Sequence, residues 1–144
     1  MIVLDTNIIA ALMQPVPNEK VIEWLDCQQH YHLYLPSIVI AEVRFGLQRM
    51  PSGQRQIAFF KQFSSLLHTL FVGRVLVFAQ QEAEVYAILR AAREAQGRPM
   101  SMADAQIAAI ARVHDFAIAT RNIKDFENCG FCLINPFDVR SDKP

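Results

Sequence analysis

The chain has 144 residues, 52% of them hydrophobic and 19% charged, with a formal net charge of zero. That length suits one domain with a core of its own, and the composition excludes a disordered chain. The charge balance neither demands nor excludes a polyanionic partner, because local patches rather than the sum steer binding.

The first element is a strand over Ile2–Leu4, which ends in Asp5, Thr6 and Asn7. A carboxylate at the rim of an apolar core is costly unless something positive or hydrogen-bonding meets it. Asn18 is placed to cap a helix carrying Val21, Ile22, Trp24 and Leu25. The charge-free run Gln28–Ala41 that follows is too short to span a bilayer. Within it, His30-Tyr31-His32 has the look of half a metal site, but alternate strand residues share a face and no partner histidine is near. Leu33–Leu35 reads as a second strand, and Ser37 as the cap of a helix reaching about Arg49, stopped by Pro51 and Gly53. A helix over Gln54–Leu70 carries Ile57, Phe60, Phe63, Leu67 and Leu70 at helical spacing. A strand at Val75–Phe78 leads into a helix over Gln80–Gln96, closed by Gly97 and Pro99. Ser101 caps a further helix running to about His114, followed by strands at Phe116–Ala119 and Cys132–Ile134. Strands alternating with helices make βαβ units and a parallel sheet, and no repeat or linker divides the chain.

Cys27, Cys129 and Cys132 are odd in number. The CxxC has no second pair for zinc and no helix start after it for redox work, so free thiols and a reduced cytoplasm are expected. The apolar start at residue 1, without a basic leader, argues against a signal peptide.

In open parallel sheets, ligands sit beyond the carboxyl ends of the strands, where Asp5 and Thr120-Arg121-Asn122 fall. Two helices add acids at positions that ask for apolar residues. Glu42 lies on the stripe Ile38, Ala41, Phe45, and Asp104 on the stripe of Ile107, Ala108 and Ala111. Each has a structural alternative: Asp5 in a turn, Asp104 in a capping box with Ser101, Glu42 paired with an arginine at the rim. Together they would repel, and a hard dication such as Mg²⁺ resolves that repulsion. Asn122 is suited to orient a carboxylate or a metal-bound water, and Asp125 either adds an acid or caps a turn.

These segments carry a resemblance. Asp5-Thr6-Asn7 after the first strand, Ser37 to Gly46, Ala103-Asp104-Ala105-Gln106-Ile107-Ala108-Ala109, Thr120-Arg121-Asn122 and the closing Asn135-Pro136-Phe137 resemble PIN-domain ribonucleases. The VapC and FitB-like toxins of bacterial toxin–antitoxin pairs are the nearest in kind. The resemblance implies a three-layer α/β/α fold with a mainly parallel central sheet, one PIN domain over residues 1–144. It also implies a Mg²⁺- or Mn²⁺-dependent endoribonuclease, an antitoxin that restrains it, and a homodimer that meets DNA only through the antitoxin. Asp5 and Asp104 match the metal-binding aspartates and Glu42 the family glutamate. The fourth acidic position corresponds to Asn122, so either Asp125 supplies the missing charge or three carboxylates suffice.

On this reading Asp5, Asp104 and Glu42 hold the cation. Metal-activated water attacks the phosphodiester, with Asn122 and Asp125 completing the catalytic set. Arg44, Arg121 and Lys124 are candidates for phosphate contact, joined by Thr6, Asn7 and Thr120 as substrate-binding residues. Three other readings compete. A phosphoacceptor receiver module wants paired acids at the first strand and an acceptor aspartate on a middle one. A haloacid-dehalogenase-like phosphatase wants an acid where Asn7 stands. A catalytically silent antitoxin-binding module would keep only the fold.

Overall fold

The computed structural model describes residues 1–138. Five parallel strands run β1 (Ile2–Leu4), β2 (Leu33–Pro36), β3 (Val75–Leu76), β4 (Ala117–Ala119) and β5 (Leu133–Ile134). They lie side by side in the order β3-β2-β1-β4-β5. Seven helices connect them: α1 (Thr6–Leu12), α2 (Glu19–Asp26), α3 (Ser37–Gln48), α4 (Gln54–Leu70), α5 (Gln80–Ala95), α6 (Met102–His114) and α7 (Ile123–Phe126).

Val3, Leu4, Leu33, Leu35, Ile118 and Ala119 are all sealed from solvent. Continuous apolar runs of this kind belong to parallel strands covered on both faces. The chain steps outward from β1 to β2 to β3, then jumps back to place β4 on the other side of β1. Right-handed crossovers therefore put α1–α4 on one face and α5–α7 on the opposite one. Alanines at 105, 108, 109 and 111 are fully buried with Ile107 and Ile110, so α6 is enclosed on nearly every side. Each fully buried large side chain, Phe63 and Phe126 among them, contributes about 1.5–3 kcal/mol of transfer free energy.

Several boundaries differ from the sequence reading. Helix α1 was not foreseen: it starts directly after Asp5, whose carboxylate is its cap. Pro36, not Ser37, precedes α3, and Ser37 is the first helical residue. Strand β3 is two residues long because it is an edge, with Val75 and Val77 both exposed. The His30-Tyr31-His32 segment is a 3₁₀ turn rather than strand. Asn18 and Ser101 cap α2 and α6 as expected, accepting from Val21 N at 3.3 Å and Asp104 N at 3.1 Å.

Candidate functional site

Doubly wound sheets open a crevice where the strand order reverses, at the carboxyl ends of the two strands flanking that point. Here those strands are β1 and β4, and their last residues lead into Asp5 and Thr120. The backbone stitches them together, Asp5 N donating to Ala119 O at 3.0 Å. Asp5 is 5% exposed and Thr120 fully buried.

The buried Asp5 carboxylate is met by three donors. Thr6 N donates to Oδ1 at 2.7 Å, Asn7 Nδ2 to Oδ2 at 2.9 Å, and Thr120 Oγ1 to Oδ2 at 2.7 Å. Asn7 is the clamp across the crevice: its Nδ2 also reaches Thr120 Oγ1 at 3.2 Å, and its Oδ1 accepts from Arg121 N at 3.0 Å. Asn122 N donates to the same Thr120 oxygen at 3.0 Å. Hydrogen bonds thus meet the carboxylate at the core's rim, though none of the three donors is a cation.

Charge remains unbalanced. Burial pushes the Asp5 carboxyl up to about 6; the Thr120 and Thr6 bonds oppose the rise, and Asp104 and Glu42 add to it. Asp104, half-buried at the first turn of α6, is raised mainly by burial, with Asp125 and Glu42 adding and Ser101 and Arg93 opposing. The charges of Asp104 and Glu42 thus bear on Asp5, and those of Asp125 and Glu42 on Asp104. Among the described residues, no group of three or more His, Cys, Asp or Glu side chains is disposed to hold a metal ion.

Because folded Asp5 keeps its proton to higher pH than the unfolded chain does, metal-free stability falls as pH rises from about 4 to about 6. The full Asp5 shift corresponds to roughly 3 kcal/mol. Asp104 acts in the same direction. Urea unfolding in EDTA at pH 4.5 and 7.5 checks this: wild type should lose stability over the interval relative to Asp5→Asn. A wild type that gains relative to the variant contradicts it.

Glu42 is exposed, not inward-facing. The buried stripe of α3 is Val39 and Leu47, with Val43 between them at half depth, and Phe45 is 63% exposed. Helix α3 is apolar on more than one side, so spacing alone did not select the face. Glu42 still borders the basin, since Thr6 Oγ1 donates to its Oε1 at 2.7 Å. Arg44 is turned to α4, where it donates to Ser64 Oγ at 2.9 Å and stacks over Phe60 and Phe63. Arg121 is exposed and lies over Phe137, 5.1 Å from the ring centroid. Lys124, Asp125 and Asn122 are exposed on or beside α7. A cleft of about 370 Å³ adjoins Thr6 and Glu42, lined by Met13, Leu47, Met50 and Phe59 with Arg55. Cys27 and Cys132 are exposed, Cys129 is buried, and all three are free thiols.

Sequence reasoning missed Arg93, only 4% exposed in α5. Glu82, Tyr86, Leu89 and Arg93 follow one helical stripe, so the test that singled out Asp104 would have found it.

The site is a crevice braced by hydroxyl and amide groups around a buried aspartate, at the reversal point of a parallel five-stranded sheet, which places the chain in the α/β class. Residues 2–131 match the PIN domain family model, and the chain belongs to that family. It is similar to the VapC ribonuclease Y4jK of Sinorhizobium fredii, 41% identical over 96% of this chain and 99% of that protein. Toxin FitB of Neisseria gonorrhoeae is 34% identical over 95% of this chain and 99% of its own. The solved structure of FitAB bound to IR36 DNA fragment contains a chain that superposes with a TM-score of 0.91 at 33% identity, covering 99% of this chain and 100% of that one.

Proposed function

We propose that this protein is a divalent-metal-dependent endoribonuclease and the toxin of a toxin–antitoxin pair. The observation that carries the reading is the buried Asp5 carboxylate, held by three donors yet pushed up by its burial, with Asp104 and Glu42 adding to the rise. An all-oxygen set of mutually repelling carboxylates suits a hard cation, Mg²⁺ or Mn²⁺. Asp5, Asp104 and Glu42 would hold it. When bound there, the ion supplies an acidified water and neutralises charge on the phosphodiester.

The chain's own residues do the rest. Thr120 and Asn7 lock the Asp5 carboxylate in one orientation, and Thr6 couples it to Glu42. Asn122, tied through its N–H to Thr120 Oγ1, and Asp125 within α7 would complete the catalytic set. Arg121 and Lys124 are exposed cations near it, suited to phosphate oxygens. Arg44 is bound to α4 and contributes to packing rather than to substrate.

The relatives named as a ribonuclease and a toxin support the activity, and the solved FitAB complex bound to a DNA fragment supports a partner protein and an assembly that meets DNA. The apolar cleft beside Glu42, with exposed Phe45 nearby on α3, offers surface to an antitoxin or to a second copy of the chain. Among the described residues no helix is long and apolar enough to cross a membrane, and action on RNA puts the protein in the cytoplasm. The silent-module reading draws on Asn122, an uncharged residue at the position that the family resemblance makes acidic in many members.

The test is incubation of the purified, antitoxin-free chain with mixed RNA in Mg²⁺, Mn²⁺ or EDTA. Internal cleavage is expected with either dication and not in EDTA. Equal cleavage in EDTA, or none with either ion, contradicts the reading.

A further inference from the structure

A second cavity, of about 420 Å³, flanks α1 at Asn7, Ala11 and Gln14 and is closed by Asn18, Arg121 and Phe137. That volume suits a small ligand or part of a larger one. Its walls differ in kind from those of the cleft beside Glu42. They hold three side-chain amides, one guanidinium and one aromatic ring, with no carboxylate among the described residues lining it. Asn7 joins this cavity to the crevice of Asp5. Its Nδ2 donates to Asp5 Oδ2 at 2.9 Å, and its Oδ1 accepts from Arg121 N at 3.0 Å.

Arg121 lies over the Phe137 ring, 5.1 Å from its centroid, and makes no ion pair among the described residues. Phe137 is half-buried against the core, and its N donates to Asn135 Oδ1 at 3.1 Å. A planar cation over a fixed aromatic ring is a surface on which any base stacks. The amides supply what an edge needs. Asn18 Oδ1 accepts from Val21 N at 3.3 Å, and Gln14 Nε2 donates to Ala10 O at 3.4 Å. The Asn18 Nδ2 donor and the Gln14 Oε1 acceptor are left without partners among the described residues. A free phosphate would use the guanidinium but neither the ring nor the acceptor. A protein segment finds the better surface in the cleft lined by Met13, Leu47, Met50 and Phe59.

We propose that this cavity is a nucleobase subsite. It takes one unpaired base of an RNA whose backbone lies along the Asp5 crevice, stacked on Arg121 and Phe137 and read by Asn18 and Gln14. The proposal rests on the ribonuclease reading given above and adds to it a base preference and a demand for single-stranded substrate. A base within a duplex is stacked on both faces and paired along its edge, so it presents neither to the cavity.

The experiment is equilibrium binding of the full chain in EDTA, followed by fluorescence anisotropy. The probes are labelled single-stranded homo-oligoribonucleotides of each base and an abasic ribose-phosphate oligomer of equal length. Wild type is expected to bind at least one homo-oligomer about tenfold or more tightly than the abasic one, the contribution of base stacking. Phe137→Leu keeps apolar volume but loses the ring, so it should close most of that gap while binding the abasic oligomer like wild type. Arg121→Lys keeps the charge but loses the plane, and should do the same; it carries the test should Phe137→Leu fail to fold. Asn18→Asp keeps the oxygen that caps α2 but exchanges a donor for an acceptor, so it should reorder the four bases. An unchanged order overturns the reading role of Asn18. A wild type that does not prefer any base over the abasic oligomer, or the full gap in both other variants, overturns the subsite and leaves the cavity to protein contact. Cleavage in Mn²⁺ separates the two levels. If wild type cuts RNA but shows no gap, only the subsite fails. If it shows the gap but never cuts, the ribonuclease reading falls and a base-binding cavity remains.

Discussion

Asp5→Asn is expected to lose divalent-dependent RNA cleavage by about a thousandfold or more while remaining folded. Asparagine matches aspartate in volume, can still accept from Thr6 N, and so preserves the cap of α1. What it removes is the negative charge at the centre of the basin. An interaction that stabilises developing charge by several kcal/mol is worth three or more powers of ten in rate. The substitution also relieves the cost of burying that charge, which offsets the weakened bonds from Asn7 and Thr120. Cleavage assays in Mg²⁺ and Mn²⁺, with circular dichroism as the check on fold, decide it. Undiminished cleavage by a folded variant would remove Asp5 from the site.

Thr120→Val is the second large effect. Valine nearly matches threonine in shape, so the fully buried position stays filled. The lost hydroxyl donates to Asp5 Oδ2 at 2.7 Å and accepts from Asn7 Nδ2 at 3.2 Å and Asn122 N at 3.0 Å. Its removal strips one donor from a buried carboxylate and leaves a backbone N–H without its partner, a cost of roughly 2–3 kcal/mol. Loss of a group that orients a metal ligand typically costs about 10–100-fold in affinity or activity. Thr120→Ser, which keeps the oxygen, should retain most of both. Thermal melts and cleavage rates on the pair test this. Thr120→Val within twofold of wild type, with an unchanged melting temperature, would show that the hydroxyl network does not govern Asp5.

Both variants probe the part of the molecule that was easiest to read. Asp5 and Thr120 end strands whose interiors are wholly apolar, so polarity at those places is conspicuous. The location of a crevice then follows from winding order alone. Asp104 was legible because α6 has a strict apolar face, with Ala105 and Ile107 through Ala111 all fully buried, against which one acid stands out. Glu42 was legible as a residue but not as to its face. Helix α3 distributes Ile38, Val39, Ile40, Ala41, Val43, Phe45 and Leu47 around its circumference, and tertiary packing chose Val39 and Leu47 for burial.

Other features had no distinct local signal. Helix α1 was hidden because its cap is the same aspartate that serves the site, placed directly against the strand with no turn residue between them. Helix α7 is one turn long and held by contacts at long sequence separation, from Arg93 and Thr120. Arg44 looked free because its neighbours in sequence are acidic and apolar; only the fold brings Ser64, Phe60 and Phe63 beneath it. Arg93 could have been found by the stripe test, but its carbonyl partners lie as many as 34 residues away.

The most direct measurement is a crystal of the antitoxin-free protein soaked in Mn²⁺ and examined at the manganese absorption edge. Asp5 and Asp104 should turn their carboxylates onto a single anomalous peak at about 2 Å, with Glu42 bound directly or through water. A peak that excludes either aspartate, or none while the two carboxylates point into different spaces, would contradict a shared dication as the centre of this protein's chemistry.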